Sequence, residues 1–160
     1  MGHITCLPGR VHGIGDIPPS KSAAHRAMIA AALAGGGRVE GLSWSDDIAA
    51  TMEGLTPLGV NFITEGRDRV VQTAPMQEHP TVNCRESGST LRFLLPIFAA
   101  KGVDATLIGQ GRLPERPLGV YADCLPAHGV TLSDSHLPLT LSGRLQAGEY
   151  ALPAMFRASF

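Results

Sequence analysis

The chain has 160 residues, of which 44% are hydrophobic, and its 13 Lys and Arg against 14 Asp and Glu leave a net charge of −1. These values are typical of one globular domain and exclude a disordered or collagen-like chain. The balanced charge lacks the basic excess with which proteins bind phosphate backbones, so we expect no nucleic-acid partner. The longest apolar run covers residues 27–34, far short of the roughly 20 residues that span a bilayer.

The N-terminus and the cysteines favour a reducing compartment. The chain begins without the charged start and apolar core of a secretory signal, so we expect a cytoplasmic protein. Cys6, Cys84 and Cys124 are too widely spaced for a disulfide framework or a zinc site and are expected to be free thiols. The histidines other than His25 show no metal-ligand spacing, and no metal is expected.

Two helices are predicted, each preceded by a segment that contains serine or threonine. The first, over residues 23–34, follows Pro-Pro-Ser and stops at three glycines, which are helix-capping signals. The second, over residues 91–100, opens after Ser-Gly-Ser-Thr in the same way, although Pro96 should kink or shift it. Each helix start has an arginine close by, Arg26 in the first and Arg92 in the second.

The segments between these helices repeat with a period of 66 to 70 residues. The pattern Leu-x-x-x-Gly-Val occurs at Leu55–Val60 and again at Leu125–Val130, closing predicted helices over 47–58 and 117–128. The following segments predict two hairpins, over residues 61–64 with 69–73 and over residues 131–133 with 137–141. The order helix, strand, helix, hairpin indicates an internal repeat with about two units present.

A third unit would begin near residue 155, close to Phe160. Repeat units bury their faces against one another, so an array cut within a unit leaves apolar surface uncovered. We therefore expect an incomplete array, in which residues 148–153 form a strand that leads into a missing helix.

Three loop-to-helix junctions place cationic side chains beside helix N-termini. The unpaired N–H groups and dipole of such a terminus attract anions, and an adjacent Lys or Arg adds full charge. Gly88 and Gly111 would let a ligand approach the backbone closely. One junction alone is typical of ordinary capping, but three together predict a small, multiply anionic ligand. The cationic residues are Lys21 and Arg26 in the first junction, Arg92 in the second, and Arg112 and Arg116 in the third.

The sequence also suggests roles for four further polar residues. Asp46 and Asp47 precede a helical segment and are interpreted as an N-cap pair. His25 either faces a ligand or is a packed imidazole. Glu86, beside the second junction, would orient the nearby arginines and is a weaker candidate for a catalytic base.

Three ordered motifs carry a resemblance: Pro19-Ser-Lys-Ser-Ala-Ala-His-Arg26, Glu86-Ser-Gly-Ser-Thr-Leu-Arg92 and Arg112-Leu-Pro-Glu-Arg-Pro117. They resemble the N-terminal part of the 5-enolpyruvylshikimate-3-phosphate synthase family, over residues 4–153. The resemblance implies an α/β fold of repeated βαβαββ units in an inside-out barrel. It also implies transfer of the enolpyruvyl group from phosphoenolpyruvate to shikimate 3-phosphate in aromatic amino acid biosynthesis, with no metal or organic cofactor.

The family's site residues transfer by position onto these motifs. The resemblance assigns Lys21 to both substrates and to catalysis, Ser22 and Arg26 to shikimate 3-phosphate, and Gly88, Arg92 and Arg112 to phosphoenolpyruvate. Full-length members are usually monomeric. The inhibitor glyphosate occupies the phosphoenolpyruvate site in this family, and many members have Asn-Ala-Gly-Thr where this chain has residues 86–89, which leaves its glyphosate sensitivity open.

The C-terminus departs from the family pattern. Similar members continue after Leu-Pro with Gly-Asn-Val-Ser-Ser-Gln-Phe, and a codon choice for residues 153–160 exists that encodes this motif when read one base earlier. We therefore expect residues 1–153 to be an incomplete N-terminal domain, residues 154–160 to be an out-of-frame tail, and the polypeptide to be inactive alone. The alternative is a non-enzymatic module that binds anions or shikimate 3-phosphate, or a fragment that complements a separate chain.

Overall fold

The computed structural model describes residues 3–5, 7–10, 12–15 and 17–151. The expected tail over residues 154–160 and Cys6 lie outside this part of the chain. The predicted strand over 148–153 is wrong for its described part, because residues 148–151 form no strand. The Tyr150 ring instead stacks on the His128 ring with 3.8 Å between centroids, which holds this segment against the preceding turn.

The elements confirm the predicted repeat, because the order helix, strand, helix, hairpin occurs twice. The first unit consists of α1 (Lys21–Leu33), β1 (Gly37–Val39), α2 (Asp46–Leu55), β2 (Val60–Glu65) and β3 (Asp68–Thr73). The second unit consists of β4 (Thr81–Asn83), α3 (Gly88–Lys101), β5 (Ala105–Ile108), α4 (Gly119–Cys124), β6 (Val130–Leu132) and β7 (Leu139–Gly143). The second unit therefore has the complete βαβαββ order that the resemblance implies.

The two sheets have matching topology. Their strand orders are β1-β3-β2 and β4-β5-β7-β6, so the second strand of each hairpin lies between its partner and the strand that precedes the unit's second helix. Both hairpins are antiparallel, with Phe62 opposite Val71 in the first and Leu132 opposite Leu141 in the second. β4 extends the second sheet by pairing parallel to β5.

The glycine of the repeated sequence pattern ends a 3-10 turn in both units. Gly59 and Gly129 follow the 3-10 turns Thr56–Leu58 and Pro126–His128, with φ of 90° and 82°. A Cβ would lie 2.9 Å from the Ala74 carbonyl oxygen at the first position and 3.0 Å from the Arg144 carbonyl oxygen at the second. Because the left-handed conformation and the lack of space both exclude a side chain, glycine is required at each turn.

The helix starts differ from prediction through their caps. α1 begins two residues before the predicted start, because the Ser20 hydroxyl accepts the Ala23 N–H at 3.3 Å. The N-cap of α2 is Ser45, whose hydroxyl accepts the Ile48 N–H at 3.3 Å, so the interpretation of Asp46 and Asp47 as an N-cap pair is wrong. Both carboxylates lie in the first turn, where the helix dipole favours negative charge.

Of the helices predicted over 91–100 and 117–128, proline interrupts only the second. α3 starts at Gly88 and continues through Pro96 to Lys101. The helix predicted over 117–128 shortens to α4 and a 3-10 turn, because Pro126 has no N–H to donate to an α-helical bond. Among the residues that the structure describes, none of the helices combines the length and apolar character needed to cross a bilayer.

One hydrophobic core joins the helices to both sheets. α2 and α3 approach so closely at Gly54 that a Cβ there would overlap the Leu94 side chain, which explains a glycine inside a helix. α1 contacts both of them. The first turns of the three helices lie near one another, because Asp47 of α2 contacts both Lys21 of α1 and Thr90 of α3. The largest fully buried apolar side chains are Met28, Ile48, Leu55, Leu91, Leu94, Leu95, Phe98, Leu107, Leu113, Leu139 and Leu141.

Candidate functional site

A cavity of about 880 Å³ lies where the starts of α1, α2 and α3 meet. Lys21 of α1 lines it, together with the N-cap serines of the other two helices, Ser45 and Ser87. Because each helix start presents N–H groups without intrahelical acceptors, this wall of the cavity suits an anion. The other lining residues are Asp46, Asp47, Glu53, Asn83, Arg85, Glu86 and Gln110.

Lys21 is paired across two helices. Its Nζ lies 3.1 Å from Asp47 Oδ2, and the two side chains are 61% and 38% exposed. A pair so open to water contributes under about 1 kcal/mol to stability, because solvent screens the attraction. An anionic ligand that reaches Lys21 therefore competes with Asp47 at little cost to the fold.

Arg85 is a cavity residue that the sequence analysis missed. Its backbone has φ of 50°, an uncommon conformation for a residue with a side chain, and its N–H donates to Asn83 Oδ1 at 2.8 Å. Its guanidinium lies 2.6 Å from Glu53 Oε1 and 3.7 Å from Asp46 Oδ1. The turn signal was present in the sequence, because an asparagine two residues upstream accepts this kind of backbone bond.

Acidic side chains outnumber basic ones in the cavity lining. The lining holds two cations, Lys21 and Arg85, and four carboxylates. Both cations are paired with carboxylates of α2. The arrangement can therefore exchange internal ion pairs for contacts with an anion.

Arg26 and Arg92 are not among the residues that line the cavity. The Arg26 side chain is exposed, and its guanidinium carbon lies 5.7 Å from the centroid of the Phe93 ring, which links α1 to α3 by a cation–π contact. Ser22 is exposed, and its carbonyl oxygen lies 3.5 Å from Arg26 Nη1. Arg92 is half-buried, and its carbonyl accepts the Tyr121 hydroxyl at 3.0 Å.

The third junction opens on a different cavity. Arg112 lines a space of about 290 Å³ with Glu115, Arg116 and Pro117, and its 90% exposed side chain lies 3.7 Å from Glu115. The structure thus brings Lys21 and the start of α3 together, but it does not bring Arg112 into the same cavity.

The two predicted close-approach glycines are contacted by protein side chains. A Cβ at Gly88 would lie 2.8 Å from Arg116 Nη1, and a Cβ at Gly111 would lie 2.5 Å from Glu86 Cδ. Glu86 forms no ion pair with an arginine among the residues that the structure describes, so the prediction that it orients arginines is wrong. Its carboxylate lies against the Gly111 backbone instead.

His25 is a packed imidazole, which decides between its two interpretations. It is 2% exposed, and its Nδ1 lies 2.7 Å from Thr51 Oγ1. Thr51 Oγ1 lies 2.7 Å from Thr90 Oγ1, which lies 2.8 Å from Ser87 Oγ and 3.3 Å from the Asp47 carbonyl oxygen. Buried polar groups of α1, α2 and α3 are thus joined directly behind the cavity.

The surroundings of His25 favour the neutral ring. Burial lowers its pKa below the ordinary value of 6.5, because the charged form loses hydration. The Asp47 carboxylate raises the pKa, whereas the positive charges of Lys21 and Arg26 lower it further. The net effect is a lowered pKa, so His25 is a neutral hydrogen-bonding group at pH 7.

The described thiols and potential metal ligands are dispersed. Within residues 17–151 and the described N-terminal stretches, no group of three His, Cys, Asp or Glu side chains is placed to hold a metal ion. Cys84 is buried, Cys124 is half-buried, and both are free thiols, as predicted. Burial raises the pKa of Cys84 to about 12.

Comparison with known proteins places these features in one family. The family model for EPSP synthase (3-phosphoshikimate 1-carboxyvinyltransferase) matches residues 7–153. The 3-phosphoshikimate 1-carboxyvinyltransferase of Clostridium beijerinckii is 38% identical over 173 aligned positions, which cover 100% of this chain and 40% of that protein. The protein of the same name from Clostridium kluyveri is 39% identical, covering 94% of this chain and 36% of that protein.

A solved structure supports the same fold. The EPSP synthase of Acinetobacter baumannii superimposes with a TM-score of 0.76 at 22% identity, covering 91% of this chain and 35% of that one. The chain thus spans about 40% of the length of the curated relatives that it matches. On the family match and these relatives, the chain belongs to the EPSP synthase (3-phosphoshikimate 1-carboxyvinyltransferase) family.

Proposed function

We propose that this chain forms one substrate-binding wall of a 3-phosphoshikimate 1-carboxyvinyltransferase. The observation that carries the proposal is the position of Lys21, which lines a cavity shared by three helix starts in a chain that the family model matches over residues 7–153. The substrates are shikimate 3-phosphate and phosphoenolpyruvate, both multiply anionic. Helix N-termini and a mobile ammonium group suit such ligands because they supply N–H donors and positive charge.

The reaction transfers an enolpyruvyl group. The 5-hydroxyl oxygen of shikimate 3-phosphate bonds to C2 of phosphoenolpyruvate while C3 takes up a proton, which gives a tetrahedral adduct. The C2–O bond to phosphate then breaks and C3 releases a proton, so the vinyl double bond is restored, and the hydroxyl proton is carried away by the phosphate or by water. The family resemblance assigns Lys21 to both substrates, and a positioned cation there would offset the negative charge on the departing phosphate in a site that excludes water.

The remaining site residues divide between the substrates. Ser22 and Arg26 bind shikimate 3-phosphate, and the exposed Arg26 guanidinium is available to a phosphate while it stays stacked on Phe93. Gly88, Arg92 and Arg112 form the phosphoenolpyruvate site. Arg112 lines a separate cavity, and its 90% exposed side chain would turn toward the start of α3 to make this contact.

We further propose that the 160-residue polypeptide binds substrate without turning it over. It spans about 40% of the length of its relatives, and an enclosed transition state needs both walls of a cleft. Its setting is cytoplasmic, its reaction requires no cofactor, and its full-length relatives act as monomers.

Calorimetry with shikimate 3-phosphate tests the binding role. We expect the wild-type chain to bind and Lys21→Met to bind at least about tenfold more weakly, since a charge-assisted hydrogen bond contributes about 1.5–3 kcal/mol. Lys101→Met is the matched control, because Lys101 is exposed at the other end of α3. A folded wild-type chain that produces no binding heat contradicts the proposal.

A second assay tests the expectation that the polypeptide alone is inactive. A non-enzymatic binding module or a fragment that complements a separate chain is favoured by the limited coverage of the relatives. Phosphate release is measured with both substrates present, using the chain alone. Release that depends on both substrates contradicts the expectation of an inactive polypeptide, whereas binding without release supports it.

A further inference from the structure

A buried series of hydrogen-bonded side chains, called the hydrogen-bond chain below, connects α1 to the cavity wall. It runs from His25 Nδ1 through Thr51 Oγ1 and Thr90 Oγ1 to Ser87 Oγ, with successive distances of 2.7, 2.7 and 2.8 Å. All four residues are at most 2% exposed. Ser87 is also one of the residues that line the cavity, so the chain leads from the protein interior to the candidate site.

In two arrangements of the hydrogens, every bond along this series of side chains runs in the same direction. Each hydroxyl has one hydrogen to donate, whereas a neutral imidazole donates from one nitrogen and accepts at the other. In the inward direction Ser87 donates to Thr90, Thr90 donates to Thr51, and Thr51 donates to an unprotonated Nδ1. In the outward direction Nδ1–H donates to Thr51, every following bond reverses, and the hydrogen of Ser87 is released from the chain.

Contacts around Thr90 are compatible with the outward direction. The Asp47 carbonyl oxygen, 3.3 Å from Thr90 Oγ1, competes with Ser87 Oγ, at 2.8 Å, for the single Thr90 hydrogen. The shorter distance favours Ser87, because hydrogen bonds from a hydroxyl to an oxygen are usually under about 3.0 Å. Ser87 Oγ also accepts the Thr90 N–H at 3.2 Å. In this direction Ser87 accepts two bonds, and its own hydrogen needs an acceptor in the cavity.

We propose that the Ser87 hydroxyl donates a hydrogen bond to an anionic oxygen of the substrate, and that His25 is a positioning residue that holds this hydroxyl outward through Thr51 and Thr90. The proposal rests on the proposed function for its ligand. Lys21 lines the same cavity, so the two donors face one bound anion from neighbouring helix starts.

The proposal links substrate binding to the tautomer of His25. An acceptor in the cavity stabilises the outward direction, and that direction requires the proton on Nδ1. The ligand therefore selects the Nδ1–H tautomer from the pre-existing pair, as expected when two states differ in affinity. Removing the hydroxyl of either threonine abolishes this selection, because hydrogen bonds then no longer connect His25 with Ser87.

Nitrogen NMR of the full chain, with ¹⁵N-labelled histidine, reads the tautomer directly. With saturating shikimate 3-phosphate, we expect His25 to carry its proton on Nδ1. Thr90→Val keeps the side-chain shape but removes the hydroxyl, so the His25 signal should stop responding to ligand and the Kd should rise about tenfold, the effect of one lost hydrogen bond to an anion. Thr90→Ser, which restores the hydroxyl, should restore both properties.

A second substitution keeps the proposal testable if Thr90→Val does not fold. Thr51→Val interrupts the chain on α2, and Thr51→Ser is its matched control; the same two effects are expected. An Nε2–H tautomer in the complex overturns the proposal, as does wild-type behaviour of the folded valine variants.

The experiment distinguishes an error in the proposed function from an error in the proposed role of Ser87. If shikimate 3-phosphate does not bind, the proposed function is wrong, and inorganic phosphate becomes the probe. A shift to Nδ1–H with phosphate, lost in Thr90→Val, then keeps the role of Ser87 as an anion donor. No tautomer response to either probe overturns it.

Discussion

Lys21 Nζ lies 3.1 Å from Asp47 Oδ2, so the cation assigned to both substrates is held by a carboxylate of the neighbouring helix. The pair joins the first turn of α1 to the first turn of α2 at the cavity. Because both side chains are partly exposed, Lys21 can leave this partner for a ligand at small cost. Under the proposed function, the Asp47 carboxylate therefore competes with the substrate for Lys21 and contributes little to the stability of the fold.

The first prediction concerns this competition. Asp47→Asn removes one of the cavity's carboxylates and frees Lys21, so shikimate 3-phosphate should bind several-fold more tightly, by up to about 1 kcal/mol. Calorimetry at low and high salt measures the gain, which should shrink as salt screens the charges. Asp123→Asn, an exposed position on α4, is the control. Weaker binding by Asp47→Asn would instead show that this carboxylate contacts the ligand.

The repeated glycines support a stability prediction. Gly59 and Gly66 both have positive φ, but only Gly59 has a backbone oxygen 2.9 Å from the position of an added Cβ, whereas Gly66 faces open space. Gly66→Ala should cost about 1 kcal/mol, the usual penalty of the left-handed conformation. Gly59→Ala should cost at least about 1 kcal/mol more than this, because the Ala74 backbone must move. Urea unfolding measures both, and equal losses contradict the steric argument.

The buried imidazole predicts a pH dependence of stability. The pKa of His25 is lowered by burial below 6.5, so the unfolded chain binds a proton at this residue before the folded chain does. The stabilising contribution of the neutral ring is therefore complete above about pH 6.5 and is lost as the pH falls toward the folded-state value. Urea unfolding between pH 7.5 and 5 (about these limits) should show this decrease.

Two variants isolate the contribution of His25. His25→Asn keeps a polar atom near Nδ1 and removes the titrating group, so its stability should vary less with pH over this range. His12→Asn, which alters an exposed imidazole outside the helices and strands, is the matched control. Identical slopes in all three proteins would assign the pH dependence to other groups.

Thiol reactivity gives the fourth prediction. Cys84 is fully buried with its pKa raised to about 12, so it carries almost no thiolate at pH 8. Iodoacetamide should label Cys124 in the folded chain while Cys84 reacts only after denaturant is added. Peptide mass spectrometry distinguishes the sites, and rapid native labelling of Cys84 would show that the α3 start opens readily.

Local sequence signals predicted much of the architecture correctly. Capping serines and terminal glycines located α1 and α3, and alternating strand segments around short polar turns located both hairpins. The Leu-x-x-x-Gly-Val repeat predicted two units because each copy encodes the same 3-10 turn and left-handed glycine. These features depend on interactions within a few residues, which a sequence displays directly.

The details of the site were less accessible because they depend on contacts between distant residues. The Lys21 pair joins positions 26 residues apart, and the bond between Thr51 and Thr90 joins positions 39 apart. No local sequence pattern identified Arg85 as a cavity residue, because its role depends on ion pairs with two α2 carboxylates that form only in the folded protein. The separation of Arg112 from the main cavity likewise follows from the course of its loop.

The sequence by itself determined the family, the repeat and the residue types at each helix start. Those properties follow from short motifs and from periodicity. Only the tertiary structure decided that Lys21 and Ser87 line one cavity, that His25 is packed behind it, and that the unliganded cations are paired with carboxylates. The physical reason is that burial and pairing depend on which helices pack together, and this packing is a property of the whole core.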